Sequence, residues 1–170
     1  MMKAPILTYL SVFLLCIGVV MPVSTYAAER VAFKRADSRT TLYQLILSDM
    51  RDKEAAHVMK WQPSGYKPYI EIYEVDLNKD GGKEILAHFT DRIGDGPPQE
   101  LPPLVVYAQQ NNRLRRLGEF KTWGHVQISD ETTNGVRDLF IFENMKNQYQ
   151  YTVYSYNVDT GTYERKQKAQ

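Results

Sequence analysis

The chain has 170 residues, with 21 Lys and Arg against 20 Asp and Glu and a hydrophobic fraction of 43%. That near-neutral balance argues against nucleic acid or an anionic membrane as the main partner, because both select strongly basic faces. A single cysteine excludes an internal disulfide and a zinc–thiolate cluster, and the length suits one domain rather than two.

Met1-Met2-Lys3 is a short positive start, followed by an uncharged, largely apolar run over residues 4–20. Pro22 breaks that run, and Ser24, Thr25, Tyr26, Ala27 and Ala28 supply small residues before the first acid, Glu29. The order is that of a cleaved export signal over residues 1–28. A membrane anchor would need roughly 20 apolar residues, and Pro22 and the alanine pair favour cleavage. Cys16 follows Leu14-Leu15, a poor setting for lipid attachment, and it departs with the leader. Residues 29–170 then form a single exported domain that is thiol-free, formally neutral and without a membrane anchor.

Residues 29–37 read as a lead-in. Ser38 is a plausible N-cap for a helix whose Leu42, Leu45, Ile46 and Met50 fall on one side. Helical composition continues to about residue 60, and Pro63, Gly65 and Pro68 end it. From residue 69 to 166 the pattern is β. Residues 69–75 alternate, with Ile70 and Ile72 on one face and Tyr69, Tyr73 and Val75 on the other. Residues 84–89 place Ile85, Ala87 and Phe89 in step. A polar loop spans 90–103. Residues 104–108 and 114–120 form a hairpin turning at 110–112, and 126–128, 138–142 and 149–158 continue the sheet. Asp159-Thr160-Gly161 makes a last turn toward Tyr163. The expected fold is α+β: an N-terminal helix followed by a mainly antiparallel sheet of about seven short strands.

Residues 76–84, Asp-Leu-Asn-Lys-Asp-Gly-Gly-Lys-Glu, are the most specific segment. Oxygen side chains at Asp76, Asn78, Asp80 and Glu84 can converge on one hard cation, Gly81 permits the sharp turn, and the carbonyl of Gly82 can add a ligand. An EF-hand would need a glutamate where Ala87 stands and helices where strands are expected. The loop instead resembles the calcium loops of FG-GAP and VCBS repeats, the blade motif of integrin-type propellers. Asp76, Asn78, Asp80, Gly81, Glu84 and Ile85 take that motif's places in order, with Glu84 where the family has Asp. The likeness covers about twenty residues. It implies a structural calcium ion in a β-hairpin, held by Asp76, Asn78, Asp80, Gly82 and Glu84.

A second segment, residues 130–139, matches the first position by position: Asp130, Thr132, Asn134, Gly135, Asp138 and Leu139 fall on Asp76, Asn78, Asp80, Gly81, Glu84 and Ile85. It reads either as a decayed second repeat or as chance similarity between two tight turns; two units are too few for a propeller.

His57, His88 and His125 stand outside any zincin, nucleophile-elbow or phosphate-loop pattern and read as structural or solvated. The last long strand puts Tyr149 and Tyr151 on one face and Tyr154 and Tyr156 on the other. These four tyrosines are a candidate binding surface, against the plainer reading that Tyr suits strands. The leading expectation is an exported, non-enzymatic binding or accessory domain docking on another exported protein, in the manner of an inhibitor or immunity protein. The alternative is a hydrolase acting on cell-wall or other extracellular material.

Overall fold

The computed structural model describes residues 28–53, 69–90, 101–143 and 150–166, with the backbone alone for 51–53. The leader expected over 1–28, except Ala28, lies outside the described residues. So do residues 54–60 of the expected helical part, 91–100 of the polar loop, and Tyr149.

The expected α+β domain with an N-terminal helix is not what forms. The described chain is β-rich, with one short helix and ten strands in two antiparallel sheets. It enters the fold as strands: β1 (Ala28–Arg30) and β2 (Lys34–Arg35) occupy the segment read as a lead-in. After α1 (Thr41–Lys53) come β3 (Tyr69–Val75), β4 (Glu84–Thr90), β5 (Pro103–Gln110) and β6 (Arg113–Lys121). Then follow β7 (Val126–Thr133), β8 (Val136–Ile141), β9 (Thr152–Asn157) and β10 (Thr162–Arg165). One sheet runs β2-β3-β4-β5-β6 and the other β1-β7-β8-β9-β10. Each is a four-strand meander with one short strand from the N-terminal segment added along its first edge.

Alternation along the strands explains the layers. Leu86, Leu104, Val106, Leu117 and Phe120 of the first sheet meet Val126, Ile128, Leu139, Ile141 and Tyr163 of the second, and this is the sandwich core. The opposite row of the first sheet, Ile70, Ile85, Ala87, Phe89, Val105 and Tyr107, packs under Tyr43, Ile46, Leu47 and Met50 of α1. Strands from residue 126 onward therefore do not extend the first sheet. They fold over it, because their inward rows can be buried only against another apolar face. Each fully buried Leu or Ile contributes about 1.5–3 kcal/mol.

The helix begins later than expected and is rotated. Thr40 caps it, its hydroxyl accepting from the N–H of Tyr43 at 3.2 Å, while Ser38 offers its carbonyl to the Gln44 side chain. Tyr43 and Leu47 are buried with Ile46 and Met50, and Leu42 and Leu45 are only half-buried. Asp49 fastens the helix to the sheet by accepting from the Tyr107 hydroxyl at 2.8 Å and Arg116 Nε at 2.7 Å.

Candidate metal loop and adjoining cleft

Strands β3 and β4 pair antiparallel from Tyr69↔Thr90 to Val75↔Glu84, so residues 76–83 are the loop of a hairpin. The loop folds on its own side chains. Asp76 Oδ2 accepts from the N–H of Gly81 at 2.9 Å, Asn78 Oδ1 from Asp80 N–H at 3.0 Å, and Asp80 Oδ1 from Gly82 N–H at 2.7 Å. Asn78 Nδ2 donates to Asp80 Oδ2 at 2.9 Å. Gly81 has φ +88°, the left-handed conformation that the turn requires. Glu84 is 7% exposed and accepts from Leu77 N–H at 2.8 Å. Burial raises its pKa above the ordinary carboxylate value, and the charges of Asp80 and Asp76 push the same way.

The donor set has the chemistry of a hard-cation site, with carboxylates, an amide oxygen and the Gly82 carbonyl. Among the described residues no three His, Cys, Asp or Glu side chains are drawn together closely enough to hold an ion, since each loop carboxylate faces a hydrogen-bond donor of the loop. A carboxylate oxygen that accepts one hydrogen bond keeps a second lone pair. Asp76 Oδ1 goes further: it is sealed from solvent and has no hydrogen-bond partner among the described residues. The residues present fit a calcium-type ion by chemistry, and Asp76, Asn78, Asp80, Gly82 and Glu84 are the ones that would hold it.

The second segment forms a different turn. Residues 130–133 belong to β7, 136–139 to β8, and Asn134 (φ +56°) and Gly135 (φ +79°) make a two-residue connection. A register shift between Ile128 and Thr132 gathers the slack. Arg137, 8% exposed, sits in the place that Lys83 takes in the first loop. Its guanidinium donates to Ser129 O at 2.8 Å, Asp130 Oδ1 at 3.1 Å and Glu29 Oε2 at 3.0 Å. The hydroxyl of Tyr73 also donates to Glu29, and these two donors hold the Glu29 carboxyl below its usual range. Asp138, 3% exposed, accepts from Thr133 Oγ1 at 3.1 Å and from Lys166 Nζ at 3.0 Å. Built-in cations thus meet the acids of the second hairpin.

A cleft of about 350 Å³ opens beside the first loop, with Asp80, Lys83, Glu84, Arg115 and Tyr156 in its walls. Tyr156 is half-buried, its ring edge-on to Tyr163 at 5.8 Å, and Tyr154 packs on Phe120 at 4.5 Å. Both belong to the inner side of the second sheet. Burial and a hydrogen bond to Glu143 push the Tyr154 phenol up to about 12. Tyr151 is 46% exposed and touches Phe140 and Phe142. The candidate tyrosines are therefore divided between two environments.

His88 is 2% exposed, its Nε2 is 3.1 Å from Thr122 O, and Phe33 packs on its ring. Burial holds its pKa below the usual imidazole value. Arg137, Arg115 and Lys83 fit no functional motif in the sequence. Lys83 and Arg137 are marked only by the alignment that sets one on the other, and Arg115 has no local signal at all.

Searches against family models, curated proteins and solved structures find no match to this chain.

Proposed function

We propose that this chain is an exported, non-enzymatic binding domain whose 76–84 loop holds a calcium ion as a structural pin. The observation that carries the reading is Asp76 Oδ1, a carboxylate oxygen buried without a partner beside two further acids, one of them the buried Glu84. Asp76 keeps one hydrogen bond, at Oδ2, but a sealed polar atom without a partner is costly, and a divalent cation that drew Asp80 and Glu84 toward Asp76 would relieve it. Gly81 N–H on Asp76 Oδ2 already shapes the loop into the turn that such a site uses. The ion's role is to lock β3 to β4. Exported calcium modules bind with dissociation constants of about 10⁻⁴–10⁻³ M, which suits a compartment outside the cytoplasm.

The partner is another exported protein. Support comes from the exposed Tyr151 and from the cleft beside the loop, because Tyr and Arg are favoured contact residues.

The test is a thermal melt of residues 29–170 with millimolar calcium, with chelator, and with Asp80→Ala. The expected result is a calcium-dependent rise in midpoint for the wild type and none for the variant. A wild-type midpoint that ignores calcium throughout the millimolar range overturns the reading.

A further inference from the structure

We infer that the cleft beside the 76–84 loop receives an acidic side chain of the partner protein, with Arg115 and Lys83 as its charge contacts and Tyr156 as its wall. The cleft lies between the sheets, lined by Lys83 at the end of the loop, Glu84 at the start of β4, Arg115 on β6 and Tyr156 on β9. Arg115 Nη1 donates to Gly161 O at 3.1 Å, which fixes the guanidinium at the mouth. Gly161 has φ +68°, and a Cβ there would stand 3.1 Å from Arg115 Nη1 and 3.7 Å from the Tyr156 hydroxyl. A side chain there would crowd the guanidinium, so glycine is what lets Arg115 settle against this turn close to Tyr156.

Charge selects the ligand. Arg116 and Arg137 are each paired with carboxylates, whereas Arg115 and Lys83 make no ion pair among the described residues. Asp80 and Glu84 share the cleft with them. The inference rests on the calcium reading for its charge surplus: with those two acids engaged on a cation, the lining is net positive. Arginine's planar fork matches a carboxylate in two-point contact. Arg and Tyr together are also the residue types concentrated at the centres of protein interfaces, which favours a polypeptide over an acidic sugar.

The experiment is titration calorimetry on residues 29–170, first with calcium alone and then, in millimolar calcium, with blocked decaglutamate, decaglutamine and an oligogalacturonate. Wild type, Arg115→Gln, Lys83→Gln and Tyr156→Phe are compared. Lys83 and Arg115 are exposed, so their variants keep the fold. The expected result is that decaglutamate binds and decaglutamine does not, that Arg115→Gln weakens binding about tenfold, and that the heat of calcium alone is unchanged by that variant. The inference is overturned if decaglutamate gives no heat, if Arg115→Gln and Lys83→Gln bind it as wild type does, or if only oligogalacturonate binds. Calcium heat without peptide heat sinks this inference and spares the loop reading. Peptide heat that depends on Arg115 without calcium heat does the reverse.

Discussion

The N–H of Arg137 donates to the carbonyl of Leu77 at 2.8 Å, joining the β3–β4 loop of one sheet to the β8 strand of the other. The calcium-type loop is thus not an appendage of its own hairpin. It is packed between the sheets, with Leu77 fully buried in the sandwich core, and whatever orders the loop tightens the contact between layers.

Calcium should therefore stabilise the whole domain and not the hairpin alone. At ten times the dissociation constant the gain is about 1.4 kcal/mol, or about 3–6 °C in midpoint for a domain of this size. Asp76→Asn separates the ion from the turn. Its amide oxygen still accepts from Gly81 N–H, so calcium-free stability should fall by about 1 kcal/mol or less, while the calcium response disappears. A variant that melts as wild type does in both conditions would show that Asp76 is no ligand.

Arg137→Met should be among the most damaging single changes. It removes the donors to Ser129 O, Asp130 and Glu29, and the expected loss is about 2–4 kcal/mol in urea denaturation. Partial exposure of Glu29 and Asp130 keeps the figure below that of a fully buried pair. Arg137→Lys should recover only part, because an ammonium cannot reach all three acceptors. A loss under about 1 kcal/mol for Arg137→Met would mean that the network contributes little.

Docking of the helix should depend on Asp49. Asp49→Ala leaves the buried Tyr107 hydroxyl and the Arg116 guanidinium without that acceptor, at an expected cost of about 2–3 kcal/mol. Tyr107→Phe should cost about 1 kcal/mol. A double-mutant cycle between them should return a coupling of about 0.5–3 kcal/mol, and strict additivity would show that the pair does not communicate.

Acid should weaken the fold through His88. Its folded pKa lies below the unfolded value because the ring is buried, despite Thr122 O and Glu71 nearby, with His125 opposing a second charge. The unfolded chain therefore takes up the proton first. Stability is full above the unfolded pKa of about 6.5 and falls with pH below it, by at most about 1.4 kcal/mol per pH unit, until the folded pKa is reached. His88→Gln should flatten that slope between pH 6.5 and 5 in urea titrations; an unchanged slope would assign it to other groups.

What could be read from sequence follows from distance along the chain. Period-two alternation sets Ile70 with Ile72 on one strand and Ile85 with Ala87 and Phe89 on the next, and the structure brings the two rows together under the helix. The positions of the 76–84 loop were legible because a turn is written in adjacent residues. The division into two sheets was not, because an inward row such as Val126 and Ile128 looks the same whether its sheet continues the first or covers it. Strands β1 and β2 are three and two residues long, too short to show a period. Arg137 carried no signal of its burial, since its partner Glu29 lies 108 residues away. The cleft likewise joins Lys83 of the hairpin loop to Arg115 and Tyr156 on two distant strands.

Strand β1 is the earliest described segment to leave the ribosome, yet its pairing partners, Gln127, Ile128 and Ser129, come about a hundred residues later. Its ladder and the Glu29–Arg137 contact can close only after most of the molecule has emerged. Such non-local closure is slow, so β1, the first made of the described strands, is among the last to be seated. Until then the β7 edge stands open to pairing with a second chain, a window in which crowding and delivery rate would govern the yield of native molecules.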